Sequence, residues 1–230
     1  MVVRTLTAGQ IEELKQIDTA TMTNAIEHFN VRPPTAGFAS LELQCLMPEL
    51  PPMVGYAVTA VGDSSTPAIP GRKSQDRALY EAIRDSPKPA IVVFQNIGTD
   101  RIRSNQFGDI MVTTFNRLGA VGAVTDGGIR DLAGMRRRAP GFQMFAAGAV
   151  PSAGVSIVVE VGLTVSICGL TIRPGELLHG DANGLITIPD EIADQVAAEG
   201  HHVLEKEQRK VDFILSDEFS LERLGEMSGW

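Results

Sequence analysis

Two short stretches of the sequence hold residue types that could do chemistry together. In Gly108-Asp109-Ile110-Met111 a glycine stands at the start of a helical pattern, and the first backbone N–H groups of a helix have no intrahelical partner. Those amides favour an anion such as a carboxylate. In Thr125-Asp126-Gly127-Gly128-Ile129-Arg130-Asp131, an arginine and an aspartate are adjacent in a turn whose two glycines allow unusual backbone angles. Asp131 suits a hard cation such as Mg2+, which takes oxygen ligands, keeps several waters and needs few protein carboxylates. Arg130 can hold a substrate carboxylate or a developing oxyanion through charge-assisted hydrogen bonds. The competing reading of a lone Arg-Asp pair is a helix cap with an exposed ion pair.

Other chemistry-bearing residues fit less well. His201 and His202 are adjacent, so on a helix their side chains diverge, and they read as surface histidines. His179, beside Gly180-Asp181, reads as an exposed turn residue. Cys45 and Cys168 are the two cysteines and lie outside any CxxC spacing, which suggests neither a disulfide framework nor a thiolate zinc site and is compatible with a reducing cytoplasm. No dinucleotide GxGxxG turn after a strand, no phosphate-binding GxxxxGK[ST] and no HExxH occurs.

The elements that must position Asp109, Arg130 and Asp131 follow from periodicity. Helical spacing over 108–118, stopped by Gly119, leads into a β-rich run at 120–125, then the glycine turn, then a short helix at 132–138 and a strand at 142–145. Upstream, two short helices fit residues 7–29, a proline-rich connecting loop 31–52, a strand 55–62, a helix 71–86 and a buried strand 90–94. Downstream, 155–188 reads as several short strands, with a hairpin turn at Asp181-Ala182-Asn183-Gly184, and Pro189 opens a helix interrupted at Gly200 and ending near Leu215. Met227 and Trp230 belong to a tail. Alternating helices and strands followed by a strand-rich half predict a mixed α/β fold in one domain, with its core at about 20–190 and a C-terminal helix and tail at 190–230.

Composition narrows the function classes. With 28 acidic and 20 basic residues the net charge is −8, which argues against a nucleic-acid surface. The apolar run at 154–172 contains Glu160 and alternates from Leu163 to Cys168, the period of strands and not of a membrane span. No secretory signal is apparent at the start, and the expected location is cytoplasmic.

Taken in order, Phe107-Gly108-Asp109, the run GAVGAVTDGGIRD over 119–131 and RPGELLHGDANGLITIP over 173–189 resemble the RraA-like family. That family includes 4-hydroxy-4-methyl-2-oxoglutarate aldolases, oxaloacetate decarboxylases and the regulator of ribonuclease E activity. The resemblance implies a swivelling three-layer β/β/α fold, assembled as a homotrimer or homohexamer with sites between subunits. It implies a lyase that uses Mg2+ or Mn2+ to cleave a small oxo-dicarboxylic acid and release pyruvate. By the same resemblance Asp131 binds the metal, Asp109 reaches it through water, Arg130 contacts the keto acid, and the amides of Ile110 and Met111 after Gly108 take its carboxylate. Glu205 or Glu207 from a neighbouring subunit approaches the metal. The alternative that the family offers is a protein-binding regulator without catalysis. Two departures from the usual pattern, Ser86-Pro87-Lys88-Pro89 and the polar run FQNIGTDRIRSNQFGD, are expected on the substrate side.

Overall fold

The computed structural model describes residues 5–64 and 73–230. In chain order its elements are α1 (Ala8–Leu14), α2 (Thr19–His28), β1 (Gln44–Cys45), β2 (Met53–Asp63), α3 (Asp76–Asp85), β3 (Ala90–Asn96), a 3-10 turn (Arg101–Arg103), β4 (Asn105–Phe107), α4 (Asp109–Arg117), β5 (Ala120–Thr125) and β6 (Gly128–Ile129). There follow α5 (Leu132–Arg138), β7 (Gln143–Ala146), β8 (Gly148–Ala149), β9 (Ile157–Val161), β10 (Val165–Ile167), β11 (Leu170–Ile172), β12 (Leu177–Asp181), β13 (Gly184–Ile188), α6 (Val196–Ile214) and α7 (Leu221–Ser228). The first two helices begin where side chains can take up orphan amides: Thr7 and Gln10 form a capping box, and Asp18 accepts from Thr21 N.

The main sheet runs β1-β7-β5-β3-β2-β12-β13. Strands β2, β3, β5 and β7 are parallel, with β1 and β12 antiparallel on the flanks. One edge of the long β2 serves two partners, β12 along Met53–Tyr56 and β9 along Ala60–Asp63. The parallel centre is covered on both faces, which is why 90–94 reads as an unbroken apolar run.

Side chains alternate across β2 and β3. Val58, Ala60, Val92 and Phe94 pack under Leu79 and Ile83 of α3, Val112 and Phe115 of α4, and Met135 of α5. Ala57, Val61, Ile91 and Val93 face the other way, against Val165, Ile167, Leu170 and Ile172 of the β10–β11 hairpin. At the β12–β13 end, Val54, Tyr56, Leu177 and Ile186 pack under α1, α2 and α6. Hairpin, sheet and helices make the three layers β/β/α that the resemblance implies.

Several expectations need correction. The loop 31–52 contributes β1, and Phe38 bridges Ile186. Helix α3 starts at Asp76, with Gly71 outside the described residues. Helix α6 starts only at Val196, after a series of turns, and passes through Gly200 without a break. A Cβ at Gly200 would lie 2.6 Å from Ile17 Cδ1, so this glycine allows close helix packing and interrupts nothing.

His179 is not an exposed turn residue: it is fully buried on β12. Its Nε2 lies 3.1 Å from Leu14 O and its Nδ1 3.0 Å from Thr19 Oγ1. A neutral ring donating from Nε2 and accepting at Nδ1 satisfies both partners. Ser86 to Pro89 sit before β3, at the end of the parallel strands opposite the glycine turn after β5, and so are not on the expected substrate side. There Lys88 Nζ donates to the carbonyls of Ile83 and Arg84, capping α3.

Among the described residues no helix is long and apolar enough to cross a membrane. The run at 154–172 forms β9, β10 and β11, as its alternation predicts.

Candidate functional site

A second, smaller parallel sheet, β4-β6-β8, joins the two chemistry-bearing stretches. Phe107 pairs with Ile129, and Arg130 N donates to Phe107 O at 3.0 Å. Phe107 itself is fully buried, edge-on to both Phe94 and Phe115 with ring centroids 5.6 Å apart. This aromatic contact anchors β4 to the main core and sets where the following residue, Gly108, emerges.

Gly108 is the meeting point. A Cβ built on it would lie 3.0 Å from Asp131 Oδ2 and 3.4 Å from Arg130 Nε. It is also the N-cap of α4, and it supplies no side chain to the helix amides. Val112 N donates to Gly108 O, so the amides of Ile110 and Met111 are left among the orphan donors of the first turn. The structure thus brings Gly108, Arg130, Asp131 and the start of α4 together, as the sequence predicts.

Asp131 occupies the N-cap position of α5 with φ 64 and ψ 32, a left-handed conformation that Asp tolerates better than most residues. Its side chain makes no capping hydrogen bond and is 40% exposed. The helix-cap reading therefore fails, although the ion-pair half of it is present: Arg130 Nε lies 3.3 Å from Asp131 Oδ2. That approach is not aligned as a hydrogen bond, and Arg130 Nε is a buried donor without an acceptor. A carboxylate and a guanidinium Nε that pair with each other without a hydrogen bond, beside uncapped amides, fit a hard cation carrying an anionic ligand. Among the described residues no three His, Cys, Asp or Glu side chains cluster, and Asp131 is the carboxylate that lies against Gly108 and Arg130.

Asp109, the first residue of α4, is mostly buried and pairs with Arg138 at the end of α5, Nη1 to Oδ2 at 2.9 Å. Neither Arg138 nor Gly134, whose missing Cβ leaves room for this carboxylate, is apparent from the sequence reading. The available signal was a glycine inside a short helix, a placement that costs about 1 kcal/mol relative to alanine and calls for a packing reason.

Behind the glycine turn lies a buried polar network, also unforeseen. Asp126 Oδ1 accepts from Asn96 N at 2.7 Å, Asn96 Oδ1 accepts from Gln106 Nε2 at 2.9 Å, and Ser64 Oγ accepts from Asn105 N at 2.8 Å. Burial pushes the Asp126 carboxyl above its ordinary value. Much of the polar run at 94–109 thus folds inward as scaffold. Ile102, on the 3-10 turn, and Ile110, in the first turn of α4, remain exposed.

The remaining candidates separate from this site. Glu205 and Glu207 are exposed on α6, which packs on α1 and α2 and not in the layer that carries Arg130 and Asp131. His201 and His202 are exposed, and His202 approaches Glu199 at 3.5 Å. Burial, reinforced by the charge of Asp126, pushes the Cys168 thiol up to about 11, so it is protonated at neutral pH and a poor nucleophile.

A three-layered α/β protein in which Gly108, Arg130, Asp131 and the start of α4 meet beside the ends of the parallel strands is the class that fold and site define. The chain matches the RraA-like family (Aldolase/RraA) over residues 19–187 and belongs to it. Among curated relatives it is 27% identical to an uncharacterized protein of Methanocaldococcus jannaschii, over 56% of this chain and 61% of that one. It is 31% identical to a protein of Halalkalibacterium halodurans provisionally named 4-hydroxy-4-methyl-2-oxoglutarate aldolase, over 58% of this chain and 57% of that one. These matches therefore span about three fifths of each relative's length. Among solved structures, an uncharacterized protein from Pseudomonas syringae pv. tomato superimposes with TM-score 0.76 at 22% identity, covering 98% of this chain and 97% of that one. Streptomyces coelicolor RraAS2, described as an unusual member of the RNase ES inhibitor RraA protein family, gives TM-score 0.66 at 22% identity, with 90% and 98% covered. At such identities the structural likeness speaks for the fold alone.

Proposed function

We propose that the chain is a metal-dependent carbon-carbon lyase. It cleaves a 4-hydroxy-2-oxo-dicarboxylic acid, such as 4-hydroxy-4-methyl-2-oxoglutarate, to pyruvate and a second keto acid. The observation that carries this reading is the convergence at Gly108 of the Asp131 carboxylate, an Arg130 Nε that has no hydrogen-bond acceptor, and the uncapped amides of α4. The provisional aldolase name of the Halalkalibacterium relative supports the same reaction class.

In this mechanism Asp131 would hold Mg2+ or Mn2+. When bound, the cation supplies a Lewis acid for the negative charge that develops on the 2-oxo oxygen. The amides of Ile110 and Met111 bind the substrate's 1-carboxylate and orient it with the helix dipole. Arg130 donates from Nε to the oxygen that becomes the enolate, a contact strongest once charge has formed there. Asp109 draws off the proton of the distal hydroxyl through water as the C3–C4 bond breaks. The hydroxyl carbon becomes the second product's ketone, the bonding pair becomes the enolate, and protonation at C3 yields pyruvate. Oxaloacetate enters the same scheme without a base, since carbon dioxide leaves directly, and its decarboxylation is a side activity.

A homotrimer or homohexamer would let Glu205 or Glu207 of a second copy reach the site. The test is pyruvate release from 4-hydroxy-4-methyl-2-oxoglutarate and from oxaloacetate, with Mg2+, with Mn2+ and with chelator, for wild type and Asp131→Ala. Metal-dependent release that Asp131→Ala abolishes is the expected result. A folded, metal-supplied protein that releases none from either substrate overturns the reading and leaves a regulator that acts by docking.

A further inference from the structure

We infer that Arg138, with Gly134, is a positioning device for Asp109, and so for the spacing between the two carboxylates of the proposed site. The inference rests on the lyase reading above. Arg138 Nη1 lies 2.9 Å from Asp109 Oδ2. The Asp109 side chain is only 16% exposed, against 51% for that of Arg138. Asp109 Oδ1 has no hydrogen-bond or ion-pair partner among the described residues. Arg138 thus occupies one oxygen, fixes the rotamer and leaves the other for the chemistry.

Gly134 makes this arrangement possible. A Cβ at that position would lie 2.4 Å from Asp109 Oδ2 and 3.0 Å from both Asp109 Cβ and Cγ. The carboxylate therefore lies directly over the backbone of α5, in the space a side chain would fill. Thr113 Oγ1 donates to Asp109 O at 2.6 Å, steadying the backbone of the same turn.

The placement along α5 explains why the contact matters. Asp131 immediately precedes the first residue of this helix and Arg138 is its last residue. A helix of seven residues spans only about 10 Å. By gripping Asp109 at its far end, α5 ties the first turn of α4 to the element that starts with Asp131. Both carboxylates are then carried on one rigid unit, and their separation does not depend on loop conformation. The neighbouring Arg136 points to a different partner, Glu49 at 2.9 Å, and serves as an internal control.

The test titrates Mn2+ into the purified protein with oxalate present, follows bound metal by electron paramagnetic resonance, and measures kcat and KM for pyruvate release alongside. The variants are Arg138→Met, Arg138→Lys, Gly134→Ala and Arg136→Met. Gly134→Ala keeps every charge and favours the helix, yet pushes the Asp109 carboxylate off Arg138. Arg138→Met and Gly134→Ala are expected to weaken Mn2+ binding by about 10- to 100-fold, the range for groups that orient a metal site, and to lower kcat more than KM. Arg138→Lys recovers part of the loss, and Arg136→Met matches wild type. A cooperative melting transition and a wild-type circular dichroism spectrum in Gly134→Ala separate this outcome from a loss of fold. Unchanged Mn2+ affinity in both Arg138→Met and Gly134→Ala, with wild type binding normally, overturns the positioning role alone. Wild type that fails to bind Mn2+ overturns it together with the lyase reading.

Discussion

Asp131 carries two burdens: it is the carboxylate of the site that makes no capping hydrogen bond, and its backbone sits at φ 64. Side chains other than glycine occupy that region at a cost of about 1–2 kcal/mol, with Asp and Asn the most tolerant. The two burdens can be separated by substitution. Asp131→Gly removes the ligand and the strain together, whereas Asp131→Ala removes the ligand and keeps the strain. Urea unfolding is expected to place Asp131→Gly about 1 kcal/mol above Asp131→Ala in stability, with Mn2+ binding lost in both. Equal stabilities would mean that the left-handed turn relaxes once the aspartate is gone.

The elements that hold these residues are short, so their precision comes from packing. β4 has three residues and β6 two, too few for a strand pair to be stable by its own hydrogen bonds. Phe107 compensates by inserting between Phe94 and Phe115, and Gly62 leaves room for the Phe94 ring, which a Cβ would meet at 2.3 Å. Truncation of Phe107 to alanine is expected to cost about 3–5 kcal/mol of global stability, measured by urea unfolding. Where the variant still folds, it should also weaken Mn2+ binding, because Gly108 follows directly. A loss of stability with unaltered metal affinity would show that Gly108 is held by the β4–β6 pairing alone.

For the whole molecule, the notable junction is the one between the N-terminal helices and β12. Thr19 donates from its backbone to Asp181 Oδ2 at 2.9 Å and from its hydroxyl to His179, which in turn donates to Leu14 O. Burial pushes the His179 imidazole below its ordinary value. In the unfolded chain the ring titrates near its usual value of about 6.5. Above that pH both states are neutral and the group contributes its full share of stability. As pH falls below about 6.5 the unfolded chain takes up a proton that the folded chain refuses, and stability drops by up to about 1.4 kcal/mol per pH unit. Urea midpoints between pH 8 and pH 5 should show this fall in wild type and a shallower one in His179→Gln. Parallel slopes would assign the acid sensitivity to the carboxylates.

Local chemistry made much of this protein legible from its sequence. The helical spacing of 108–118, the β-branched strand at 120–125 and the double glycine before Arg130 and Asp131 are properties of neighbouring residues, and they place the core of the candidate site within one stretch of chain. The hairpin after Asp181 was readable for the same reason. What required the tertiary structure were contacts between residues far apart in sequence, or between elements whose mutual approach no periodicity encodes. Gly200 reads as a helix breaker until Ile17 is seen against it, and His179 reads as a surface residue until Leu14 and Thr19 close over it. Arg138 reads as one of three arginines at a helix end until Asp109 is found lying in the space above Gly134. Sequence determines which groups a segment can offer, because propensity and spacing act over a few residues. Only packing decides which partner each group meets, because burial and ion pairing depend on distances that the folded chain alone defines.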